Sequence, residues 1–265
     1  MLIKQIRSVL SIVLFIVTVP LYARIIKTNK ISTVLKEAKK YHELYKKTDK
    51  SKKLMIIFDI DNTLTESDNH DQYGSDQWLH AHVERVIKQG VPVVKAWAVI
   101  LPLWFEIQKD SKFSLRLIEK NTLQVFKEAQ KISDKTIGLT ARGFPIISDT
   151  LRLLKKIDIN FLHNSFSQDI MFDSVMGEFT QGIFFCSNGD KGKSLIELLK
   201  KVNYFPDTII FVDDKEKYLL SVEQAVQNYP INFLGIHYTH LEEKVKNFNF
   251  NVEINEYMTN NKISF

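Results

Sequence analysis

Apolar positions along this chain fall into three patterns, and each predicts a different element. Between residues 31 and 46, Ile31, Val34, Leu35, Ala38, Tyr41 and Tyr45 recur at helical spacing, with lysines on the other face. Leu54–Phe58 is a continuous apolar run that stops at Asp59, the pattern of a parallel strand buried on both faces. Short runs of the same kind follow at Thr136–Leu139, Ile209–Val212 and Ile231–Ile236. Helical patterns at Pro145–Lys156, Lys191–Val202 and Lys215–Gln227 lie between them. Strands alternating with helices predict an α/β fold, a doubly wound parallel sheet covered by helices on both faces.

Residues 66–135 break that rhythm. They read mostly helical and separate the first core strand from the second, which predicts an inserted helical cap rather than a connection. Within them Ala96–Phe105 is apolar throughout, Pro102 included, and too short to span a bilayer; it reads as a buried or substrate-facing helix. Lys4 and Arg7 precede an apolar run from Val9 to Ala23, broken only by Ser11, Thr18 and Pro20. At about 1.5 Å per residue that run falls short of a ~30 Å hydrocarbon core. Basic residues, a short apolar run and a small residue at Ala23 form a secretory signal pattern, with an uncleaved anchor through residues 9–23 as the alternative. The expected division is a signal peptide or anchor over 1–23, a basic amphipathic lead helix over 24–53, a core from 54–65 and 136–265, and a cap over 66–135.

Composition adds little to this picture: 265 residues, 45% hydrophobic and 25% charged, suit an ordinary globular domain with an insertion. The lone cysteine, Cys186, excludes an intramolecular disulfide, and its place inside an apolar run marks it as inert. The net charge of +5 is unevenly spread, for ten lysines lie between Lys27 and Lys53 against Glu37, Glu43 and Asp49. They read first as a solvated helix face and second as a contact for an anionic membrane surface. No nucleic-acid motif accompanies them, so no nucleic-acid partner is expected.

The chemistry is concentrated where the first core strand ends, in Asp59-Ile60-Asp61-Asn62-Thr63-Leu64-Thr65. In open parallel sheets, ligands bind beyond the carboxyl ends of the strands. Two carboxylates one residue apart at the end of a buried strand are unfavourable unless a cation or a reaction uses them. Here the chain resembles the haloacid dehalogenase superfamily, in its aspartate-nucleophile phosphatase branch. Asp59, Asp61 and Thr63 match that branch's DxDxT motif. Thr140 after its strand looks like the second motif, Lys191 opening a helix like the third, and Asp213–Asp214 ending a strand like the fourth. The stretches GLTARG (138–143), GIFFCSNGDKGKSL (182–195) and FVDDKEKYLLSV (211–222) are similar to a group of uncharacterised, often exported bacterial members of that superfamily.

The resemblance implies Mg²⁺-dependent hydrolysis of a small-molecule phosphate monoester through an aspartyl-phosphate. Asp59 would be the nucleophile and Asp61 the acid–base. Thr140, Lys191 and Asn62 would bind the phosphoryl group, and Asp59, Asp213 and the backbone carbonyl of Asp61 would hold the metal. Asp214 would act from behind them or as a further ligand, and Lys191 is preferred over Lys193. Carbon–halogen hydrolysis is disfavoured by Asp61, which dehalogenases of the superfamily lack. Phosphotransfer to another acceptor, and a membrane-associated binding protein with little turnover, remain alternatives. Arg142 reads equally as a substrate contact or as a partner for an acid. His80 and His82 sit two apart in a helix, point away from each other and make no zinc pair. Trp78, Trp97 and Trp104 read as cap core.

Overall fold

The computed structural model describes residues 23–69, 72–187 and 189–248. The leader expected over 1–23 therefore lies outside the described residues up to position 22, as does Asn188. Strand β1 (Arg24–Thr28) and helix α1 (Ser32–Thr48) precede the first core strand, β2 (Leu54–Phe58). A short strand β3 (Thr65–Ser67), helices α2 (Asp76–Lys88) and α3 (Val93–Lys109), strand β4 (Leu115–Leu117) and helix α4 (Thr122–Ile132) follow. The core resumes with β5 (Lys135–Thr140), α5 (Ile147–Lys156), β6 (Ile170–Phe172), β7 (Gly177–Thr180) and β8 (Ile183–Cys186). It closes with α6 (Lys191–Lys201), β9 (Thr208–Asp213), α7 (Glu216–Val226), β10 (Asn232–Tyr238) and α8 (Glu242–Lys246).

Eight strands form one sheet in the order β1-β10-β9-β2-β5-β8-β7-β6, parallel from β1 through β8 and antiparallel at β7 and β6. The expected doubly wound α/β class is the observed one. Alternation along β2 explains the two layers. Leu54, Ile56 and Phe58 pack with α1 and α4, whereas Met55 and Ile57 face α6 and α7. Both sets are fully buried, which is why β2 reads as an unbroken apolar run.

Two expectations change. Residues 24–28, assigned above to the lead helix, form β1 in register with β10, Ile25 lying against Gly235. A Cβ on Gly235 would come within 2.9 Å of the Ile25 side chain, so the glycine is what admits the strand. The cap is also narrower than 66–135. α4 packs on α1 and the sheet through Val125, Phe126 and Ala129. The part standing over the core is α2 and α3, carried on the antiparallel ribbon β3–β4. Their own apolar cluster includes Trp78, Ile100 and Trp104 and rests on Ile146 and Leu153 of the core. The lysines of α1 are exposed, as its spacing predicts. Among the described residues, no helix is long and apolar enough to cross a membrane.

Candidate active site

Three parallel strands, β5, β2 and β9, lie side by side and release Thr140, Asp59 and Asp213 at their carboxyl ends. The Asp59 N–H donates to Val212 O (2.9 Å), which ties the end of β2 to β9. The next residues make a tight turn: Asn62 adopts φ +57°, a left-handed conformation that asparagine tolerates, and its N–H donates to Thr65 O at 2.8 Å. Asn62, expected as a phosphate ligand, thus has its backbone N–H committed to holding that turn. The Thr63 hydroxyl lies 3.5 Å from Asp59 Oδ2.

Lys191 reaches this point from the first residue of α6. Its ammonium donates to Asp59 Oδ1 at 2.5 Å and to Asp213 Oδ2 at 2.7 Å. Asp190 caps the helix by accepting the Lys193 N–H; the Lys191 side chain points inward to the acids, whereas Lys193 is exposed. Gly192 lets α6 approach α7, because a Cβ there would stand 2.2 Å from Ser221 O. Lys191 is fully buried, over the ring of Tyr218. Burial by itself would strip its proton, but Asp213 and Asp59 outweigh it and hold the pKa above the ordinary lysine range.

The anions outnumber that cation. Carboxylate oxygens of Asp59, Asp213 and Asp214 all lie within 4.8 Å of one another. Burial, opposed by Lys191 and reinforced by Asp213 and Asp61, pushes Asp59 up to about 7. Burial, then Asp213 and Asp59, raises Asp214 well above the carboxylate range. A close group of hard oxygen donors short of positive charge suits Mg²⁺ better than a soft metal. Asp214 belongs to this group by its side chain, and Lys191 is oriented by Asp59 and Asp213.

Asp61 leaves the trio and enters a different pairing. Arg142 grips it bidentately, Nε to Oδ2 and Nη2 to Oδ1, both at 2.8 Å. The same guanidinium donates to Gln108 Oε1 on α3 (3.0 Å) and Thr150 Oγ1 on α5 (3.2 Å), and lies over the Trp104 ring. Arg142 is therefore a partner to an acid that also ties cap to core. The Thr140 hydroxyl accepts the Arg142 N–H at 3.2 Å, which leaves the hydroxyl proton to be donated. A second tie went unread in the sequence: Lys215 Nζ donates to Asp76 Oδ2 of α2 at 2.6 Å, while its N–H binds Asp213 Oδ1 at 2.8 Å. Nothing local marks Asp76, since its partner lies across the molecule.

Between cap and core a cleft of about 570 Å³ opens over Asp61 and Arg142. His80 and Trp97 meet there edge to face, so His80 is a cleft residue, whereas His82 is buried under Trp78. Trp78 and Trp104 lie in the cap cluster, as expected, Trp104 also facing the cleft, while Trp97 packs against that cluster and lines the cleft. Cys186 is buried, and burial pushes its thiol up to about 12. At pH 8 it is then held as the unreactive thiol. The native protein should resist alkylation at pH 8 and react fully once unfolded in guanidinium; rapid labelling of the native form would show the thiol to be accessible.

Comparison with known proteins adds the following. The family described as "Protein of unknown function (DUF2608)" matches residues 32–263. The chain is 25% identical over 183 residues to a "Putative outer membrane protein" of Chlamydia pneumoniae, covering 69% of this chain and 68% of that one. It is 24% identical over 184 residues to a protein of the same description from Chlamydia trachomatis, with the same coverage of each. A solved haloacid dehalogenase-like family hydrolase from Streptococcus pneumoniae aligns over 74% of this chain and 99% of that one, at 14% identity and a TM-score of 0.44.

Proposed function

The chain belongs to the DUF2608 family, described as proteins of unknown function, and we propose from the site itself that it is a phosphomonoester hydrolase using Asp59 as nucleophile. The observation that carries the reading is the buried Lys191 ammonium held between Asp59 and Asp213 at the carboxyl ends of adjacent parallel strands. A structural ion pair has no need of three carboxylates around one cation, next to a fourth at the floor of a cleft.

In this reading a monoester enters with its phosphoryl group over Asp59. Two of the three Lys191 N–H donors are committed to Asp59 and Asp213, and the third is left for a phosphoryl oxygen. The Thr140 hydroxyl supplies another donor. Asp59 attacks phosphorus, and the bond to the leaving oxygen breaks as Asp61 delivers a proton to it. Asp61 then takes a proton from the water that cleaves the aspartyl-phosphate. Arg142 fixes both oxygens of Asp61 and must loosen for that carboxyl to carry a proton. Mg²⁺ fits the carboxylates of Asp59, Asp213 and Asp214 and, when bound, lowers the repulsion between an anionic nucleophile and an anionic substrate.

The likeness to proteins described as outer membrane proteins supports delivery outside the cytoplasm. The exposed lysines of α1 are the surface we assign to contact with an anionic membrane. The test of function is turnover of an aryl phosphate by the purified chain. Activity should disappear with EDTA and return with Mg²⁺. Full activity in metal-free buffer, or none with any phosphate ester, would sink the proposal, the latter favouring a binding protein.

A further inference from the structure

We infer that the substrate is a phosphate monoester whose leaving group ends in an apolar ring; the inference rests on the phosphatase reading above and adds the substrate class. The cleft over Asp61 is lined by two unlike sets of side chains. Asp61, Asp76, His80, Arg142 and Lys215 are charged or polar. Leu79, Trp97, Leu101 and Phe105 from the cap and Phe144 from the core make an apolar wall.

Much of what the cap could offer a polar leaving group is already spent. The Trp104 indole N–H donates to Gly74 O at 2.7 Å. Gln108 gives its amide to the same carbonyl at 2.8 Å and its oxygen to Arg142. Arg142 is committed to Asp61, Gln108 and Thr150, and Asp76 to Lys215 and, at 3.5 Å, His80. These polar atoms close on one another, and the side chains that dominate this wall are rings and aliphatic chains, with the Trp97 indole N–H and the Ser187 and Tyr218 hydroxyls as scattered polar atoms in the cleft. A sugar or polyol entering here would lose its water for few partners, a penalty for each stranded hydroxyl.

An apolar ring gains instead. Trp97 is half-buried and Phe144 is 38% exposed, although large aromatics are normally covered. Both line the same cleft as the proposed proton donor. Its volume is in the range of small-ligand sites, enough for a phosphate and a ring. The exposed Lys217, over the Tyr218 ring at the rim, adds positive charge for an anionic ester.

The experiment compares 2-phenylethyl phosphate, ethyl phosphate and glycerol phosphate on the full chain with Mg²⁺. Ethyl and 2-phenylethyl phosphate release alcohols of similar acidity, so intrinsic reactivity does not bias their ratio; glycerol is the stronger acid, so any intrinsic bias runs in its favour. The phenylethyl ester should show a kcat/KM roughly 10- to 100-fold above ethyl phosphate, the discrimination an apolar pocket gives to a buried ring. Glycerol phosphate should do no better than ethyl phosphate. Trp97→Ala and Phe144→Ala should each bring the phenylethyl-to-ethyl ratio down towards one. The ratio is taken within one variant, so damage to fold or chemistry lowers both rates and leaves it in place. Equal rates on the two alkyl esters, preference for glycerol phosphate, or a ratio unchanged in both variants overturns the inference while leaving the phosphatase reading intact. No turnover of any of the three esters overturns that reading and the inference with it.

Discussion

Asp59→Asn is expected to bring turnover of an aryl phosphate to background while the protein stays folded. The substitution removes the attacking oxygen, so no phosphoenzyme forms and the full gain of covalent catalysis is lost. It also relieves a buried cluster: Asp59 stands against Asp213 and Asp214 with one ammonium among them, and burial already raises its pKa to about 7. Stability in metal-free buffer should therefore hold or rise, which separates lost chemistry from lost fold. Asp61→Asn fails differently. The nucleophile remains, a good leaving group needs little protonation, and the proton-transfer loss is roughly 10²–10⁴-fold. Its phosphoenzyme should accumulate, because no base activates the water. This variant also takes the charge from the bidentate partner of the buried Arg142, so some stability should be lost. Rapid-quench mass spectrometry reads both. A phosphoryl adduct on Asp59→Asn, or a wild-type adduct mapped to another residue, would falsify the assignment.

Lys191→Met should be the most destabilising single change at the site. Its ammonium is fully buried and is the cation hydrogen-bonded to both Asp59 and Asp213. Methionine fills a similar volume, so the loss is electrostatic rather than a cavity. Leaving buried carboxylates without their partner costs about 3–5 kcal/mol, on the order of 10 °C in melting temperature for a chain of this size. Saturating Mg²⁺ should recover part of that loss and should also raise the wild-type transition, since a ligand of the folded state stabilises it by mass action. Thermal unfolding with Mg²⁺ and with EDTA measures all four values. A variant that melts with the wild type in EDTA would mean that Lys191 does not hold these acids together.

The parts of this molecule that could be read in the sequence are those where one segment carries its own signal. β2 is apolar at every position because both faces are covered, and α6 and α7 alternate with the strands at helical spacing. The segments bearing Asp59, Thr140, Lys191 and Asp213 could be singled out because they resemble, in order, the four motifs of the haloacid dehalogenase superfamily, each placed after an apolar strand or at a helix start. Features that depend on a distant partner could not be read. Asp61 with Arg142 and Asp76 with Lys215 are pairings across the fold, and neither segment names its mate. β6 and β7 pair antiparallel over too few residues for alternation to register. β1 is a half-exposed edge strand that runs into a lysine-rich stretch, so its two isoleucines were absorbed into the helix beside it.

That edge strand has a consequence for how the chain matures. Among the described residues β1 is the first strand of the sheet, and its hydrogen-bonded neighbour is β10, the last of them, with Arg24 in register with Leu234. The sheet cannot acquire this edge until the final strand has left the ribosome, whatever the interior strands have done by then. Pairings so far apart in sequence are slow, because a large loop must close before they repay it. Residues 24–28 therefore stay without their strand partner until β10 has been made. A cut after Ala23 would fall immediately before Arg24 and leave the strand whole. Pairing of β1 is then a late seal, set only once β10 has emerged.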